Sequence, residues 1–70
     1  MRYAVIIERG AESYGAYVPD LPGCVATAAA REEVVTLIQE AIAFHIEGLR
    51  QDGQPVPRPS SSVEFVDVAA

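Results

Sequence analysis

The 70-residue sequence has no tryptophan and no lysine, and only one cysteine and one histidine. A lone cysteine makes no disulfide within the chain. One Cys with one His also falls short of the four protein ligands of a structural zinc site. A domain of this size buries only about 60% of the surface its unfolded chain exposes. Without a disulfide or metal, a partner subunit is the expected support. Positive charge is also scarce: five basic residues, all arginine, stand against ten acidic ones, for a net charge of −5. An acidic chain without a basic cluster is repelled by phosphate backbones, which argues against direct nucleic-acid binding and suits a basic protein partner. No apolar run approaches the ~18 residues of a membrane span. The run Tyr3 to Ile7 is shorter than the ~7–15 residues of a signal peptide's hydrophobic region. Together with the single cysteine, these absences predict a cytoplasmic protein.

What is present is half hydrophobic, enough for one core and one domain over residues 1–70. Met1 to Glu8 is rich in aromatic and β-branched residues and predicts a strand. Because both of its faces are largely apolar, a central position in the sheet is expected. Arg9 to Ser13 reads as a turn, with Gly10 free to take positive φ. Tyr14 to Val18 returns as a second, antiparallel strand. Pro19 and Pro22-Gly23 break it, and Cys24 to Thr27 makes a third. From Arg31 to Gln51, Val34, Val35, Ile38, Ala41, Ile42, His45, Ile46 and Leu49 recur with the helical period and form one apolar face. Glu32, Thr36, Gln39, Ala43, Glu47 and Arg50 fall opposite. Gly53 and Pro55 mark the helix end, whereas Ala28-Ala29-Ala30 supplies no side-chain cap at its start. A proline-rich exit, Gln54 to Ser62, leads to a fourth strand at Val63 to Val68. The predicted fold is α+β with the order β-β-β-α-β: a three-stranded antiparallel meander, one long amphipathic helix, and a fourth strand rejoining the sheet.

No constellation of catalytic residues stands out. Cys24 reads as a small buried hydrophobe and His45 as a packed or interfacial histidine. Glu64 and Asp67 lie on opposite faces of their strand, and the other acids do not converge as a two-metal nuclease requires. No phosphate loop, metal-ligand spacing or nucleophile elbow is present. The chain is expected to be no enzyme, and no cofactor or metal is implied.

The run Tyr14-Gly15-Ala16-Tyr17-Val18-Pro19-Asp20-Leu21-Pro22-Gly23-Cys24, following a Val/Ile-rich strand, resembles the HicB-like antitoxin family. The likeness continues through Glu32-Glu33, Glu47-Gly48-Leu49 and the exit Gly53-Gln54-Pro55-Val56-Pro57, and covers roughly residues 3–68. It implies a partial ribonuclease-H-like domain lacking that fold's metal-binding carboxylates. It also implies a role in binding and blocking a small basic HicA-type toxin that cleaves mRNA. Many relatives carry a further C-terminal DNA-binding domain, whereas this sequence closes within a few residues of its fourth strand and is expected to have none. It also has Ala29-Ala30 where the family often places an Asp-Thr helix cap.

The expected function is therefore neutralisation of such a toxin by occlusion. The alternative is a self-assembling orphan domain with a small-molecule or other regulatory role. A homo-dimer or tetramer is expected in either case. Tyr17 and Asp20, beside the signature turn Pro19, Asp20, Leu21, Pro22, Gly23 and Cys24, are candidate partner contacts, as are Glu47 and Arg50 on the helix's outer face.

Overall fold

The computed structural model describes residues 1–69. Three strands, β1 (Ile6–Arg9), β2 (Tyr14–Tyr17) and β3 (Val25–Ala28), precede one helix, α1 (Arg31–Gln51). Both strand pairs are antiparallel and the sheet order is β1-β2-β3. The α+β class, the meander and the helix with its predicted bounds are all present.

The register sorts side chains into two layers, because successive residues of a strand point to opposite faces. Ile7, Ala16 and Ala26 stand in one row, and Arg9, Tyr14 and Ala28 in another. Of these, Ile7, Tyr14, Ala16, Ala26 and Ala28 pack into the core under the helix. Between them lie the rows Ile6–Tyr17–Val25 and Glu8–Gly15–Thr27, which form the outer face. The alanines of β2 and β3 let the helix approach closely, and α1 lies nearer to those two strands than to β1. Its apolar face is therefore seated off-centre. Val34 and Ile38 are buried, but Val35 is exposed, and Tyr3, Val5, Ile7, Val35, Ile38 and Ile42 line an open groove on the β1 side.

The signature turn is two tight turns in series. The Leu21 N–H donates to the Val18 carbonyl (3.1 Å) and the Cys24 N–H to the Leu21 carbonyl (3.0 Å), while the Val18 N–H closes the loop onto the Cys24 carbonyl (3.2 Å). A proline sits second in each turn, where its fixed φ is preorganised. Gly23, third in the second turn, has φ 85°, which makes that turn type II. Leu21 joins the two turns and is 0% exposed. Gly10, by contrast, does not adopt positive φ; its turn closes with a 2.7 Å hydrogen bond from its own N–H to the Ser13 carbonyl.

The helix ends as its sequence predicts. Gln54 N–H donates to the Leu49 carbonyl (2.9 Å) and Gly53 N–H to that of Arg50 (3.1 Å), with Gly53 at φ 69°, the Schellman arrangement. At the other end Ala30 has the extended conformation of a cap residue but contributes no side-chain hydrogen bond. Ala30→Asp is therefore expected to stabilise the domain by about 1 kcal/mol, the typical worth of an N-cap side chain. The rise in urea midpoint measures it; an unchanged midpoint would show that the helix start is already satisfied by other means.

Two expectations are corrected. Val63 to Val68 forms no strand, and β1 is consequently an edge rather than a central strand. The tail does run beside β1 and in the same direction. Ser61, Ser62 and Val63 border Arg2, Tyr3 and Ala4, while Val63 and Phe65 border Val5, Ile6 and Ile7. Its side chains are nevertheless left outside, with Phe65 92% exposed. With its side chains left outside, the segment buries little apolar surface to offset the entropy of ordering it as a fourth strand.

Candidate partner-binding surface

Asp20 sits in the first of the two tight turns, half-buried, and faces residues 40 positions later. One carboxylate oxygen, Oδ2, accepts the backbone N–H groups of Ser60 and Ser61, both at 2.9 Å. The other, Oδ1, accepts the hydroxyls of Ser60 at 3.1 Å and Ser61 at 2.7 Å. These donors hold the carboxyl at a pKa of about 2, with the backbone N–H of Ser61 contributing most and that of Ser60 next, because hydrogen bonds to the charged form favour it. A second tie lies nearby: the Tyr3 hydroxyl donates to the Pro57 carbonyl at 2.6 Å. Together they fasten the proline-rich exit across the sheet end. The four donors come from a Ser-Ser pair that in sequence reads only as linker, and no local pattern connects it to a turn so far away.

The four candidate contacts are not brought together. Tyr17 lies on the outer sheet face between Ile6 and Val25; Tyr14, three residues earlier, packs into the core. Asp20 is engaged by the chain's own serines. Glu47 is exposed on α1 and accepts a 3.5 Å hydrogen bond from Gln51 Nε2. Arg50 is exposed and borders Met1 and Arg58 near the helix end. Among the large apolar side chains of α1, Phe44 is the most exposed, at 83%, and it is not among the four candidates. The signal for it was available, since a phenylalanine outside the apolar helical face is legible from the period alone.

Cys24 is buried, and burial pushes its thiol pKa up, the opposite of a reactive thiolate. His45 is half-buried on the core side of α1. Among the described residues no group of three or more His, Cys, Asp or Glu side chains is placed to hold a metal ion. Nor is any helix of the described residues long and apolar enough to cross a membrane.

A one-helix meander with two outward surfaces, the sheet's back and the helix's exposed side, defines a small α+β module with room for protein contacts on both. The sequence profile of the HicB_like antitoxin of bacterial toxin-antitoxin system matches residues 3–69. The chain belongs to the HicB-like antitoxin family. It is 33% identical over 67 residues to an uncharacterised 14.9 kDa protein of Haemophilus phage HP1, covering 96% of this chain and 50% of that one. To a UPF0150 protein of Synechocystis it is 39% identical over 67 residues, covering 94% and 85%. To Antitoxin HicB 2 of Photorhabdus laumondii it is 31% identical over 71 residues, covering 100% and 51%. The chain thus spans about half the length of two of these relatives. Its fold superposes on a chain of a solved HicA3 and HicB3 toxin-antitoxin complex with TM-score 0.73 and 32% identity, over 86% of this chain and 70% of that one.

Proposed function

We propose that this protein neutralises a small basic, mRNA-cleaving toxin of the HicA type by occlusion: it docks on the toxin and covers the surface that RNA must reach. The observation that carries this reading is the likeness, at 32% identity, to a chain of a toxin–antitoxin complex. Charge supports it, because a chain of net charge −5 attracts a basic protein and repels RNA. Occlusion makes and breaks no bond, so it asks for no catalytic group on this chain and no cofactor. The unpaired Cys24 is in keeping with a cytoplasmic setting. The outer row Ile6–Tyr17–Val25, with Val25 63% exposed, supports assembly into a homo-dimer or tetramer, since apolar rows of this kind are commonly covered by a second copy.

The test is co-purification with the HicA-type protein of the same cells, followed by an RNA-cleavage assay. A near-stoichiometric complex, and cleavage falling to background as this protein reaches equimolar amount, is the expected result. No complex, with cleavage undiminished at excess, overturns the reading.

A further inference from the structure

The exposed side of α1 carries a pattern distinct from its apolar face. Glu33, Glu40 and Glu47 are spaced seven residues apart, and Leu37 and Phe44 fall midway between them with the same spacing. Residues at i, i+4, i+7, i+11 and i+14 share one stripe of a helix. From Glu33 to Glu47 it runs about 21 Å at 1.5 Å per residue. All five side chains are exposed, Leu37 at 38% and Phe44 at 83%, and neither apolar residue is among those packed on the core. The stripe lies on the flank away from Val35, Gln39 and Ile42, which border the β1 groove.

A single exposed apolar residue means little. Two of them in line, framed by three carboxylates in matching register, constitute a surface with both an anchor and a charge pattern. We infer that this flank of α1 is where the basic toxin docks, with Phe44 inserted in an apolar recess of the partner and Glu33, Glu40 and Glu47 facing its arginines or lysines. The inference rests on the antitoxin reading and assigns its surface.

The charge pattern selects among occupants. In a second copy packed antiparallel, Glu33 would face Glu47 and Glu40 its own counterpart; packed parallel, each would face itself. Both arrangements set like charges opposite one another. Phosphate-bearing partners meet the same repulsion. A basic protein surface alone turns the carboxylates from a penalty into a gain, and an aromatic anchor at the centre of such a contact is where binding energy concentrates.

The test measures the affinity of the full chain for the purified HicA-type protein, comparing Phe44→Ser, Glu40→Lys and a charge-matched control, Glu12→Lys, in the β1–β2 turn. All three positions are exposed, so circular dichroism and melting temperature are expected to match the unmodified chain. Phe44→Ser and Glu40→Lys are each expected to weaken binding about tenfold or more, as hot-spot positions do, and Glu12→Lys less than about threefold. Binding by the unmodified chain that is indifferent to Phe44→Ser and Glu40→Lys overturns the docking surface and leaves the antitoxin reading standing. Equal losses in Glu40→Lys and Glu12→Lys, with none in Phe44→Ser, also overturn it, because net charge then accounts for the effect. No binding by the unmodified chain overturns the antitoxin reading and this inference with it.

Discussion

Replacing Leu21 with alanine is expected to cost about 2–5 kcal/mol, the range for removing a buried leucine side chain. A domain of 70 residues has about 3.5–10 kcal/mol of stability in total, so the loss removes a large share of it and brings the variant close to unfolding. Leu21 is 0% exposed, and it sits where the two tight turns meet, its N–H and carbonyl each closing one of them. Neighbours cannot easily collapse into the space. Pro19 and Pro22 fix the backbone on either side, and the Val18–Cys24 hydrogen bond closes the loop around it. Val34 is equally buried, but Val34→Ala removes less side chain from a helix that can shift, and about 1–2.5 kcal/mol is expected there. Urea unfolding followed by circular dichroism measures both. A Leu21→Ala midpoint close to that of the unmodified chain would show that the double turn is not a pillar of the core.

The second large effect concerns the tail. Asp20→Ala removes the acceptor of four hydrogen bonds at once, and the amides of Ser60 and Ser61 are expected to exchange with solvent about tenfold faster or more, as they do when a local tie opens without global unfolding. Asp20→Asn is expected to act more mildly. Its amide oxygen can still accept the two backbone N–H groups, and the serine hydroxyls can turn to accept from its NH2. Acid provides the same test without a mutation. The carboxyl's pKa is lowered in the folded chain, from 3.8 to about 2, so the tie's contribution to stability is fully present above pH 3.8 and is lost as pH falls through about 2. The amide proton shifts of Ser60 and Ser61 are expected to titrate with a midpoint near 2. A midpoint at the ordinary aspartate value, or exchange rates indifferent to Asp20→Ala, would show that the tail is not held there.

Local patterns were legible in the sequence wherever neighbouring residues settle the outcome. The end of α1 at Gln51 follows from its period and its Gly53 stop, because helix ends are decided by groups within one turn; its start at Arg31 has no side-chain cap to mark it and rests on the period and on Glu32 and Glu33 in the first turn. Pro19, Pro22 and Gly23 announce the break between β2 and β3, and the parity of Tyr14 and Tyr17 places one inside and one outside. The run Pro19 to Cys24 carries the family likeness through the same local chemistry.

Tertiary structure alone decided what depends on distant residues. That β1 is an edge strand follows from the tail's failure to pair with it. The tail's side chains stay outside, with Phe65 92% exposed, and no local pattern in Val63 to Val68 announces that. Asp20 tethers Ser60 and Ser61, and no periodicity links positions 40 residues apart. The exposure of Phe44 lies between the two. The helical period removes it from the apolar face, but only the docked helix, with no second layer beyond it, shows that nothing in the described chain covers it. Residue type and spacing determined the elements of this protein; which faces were buried in the core and which were left exposed was decided by packing.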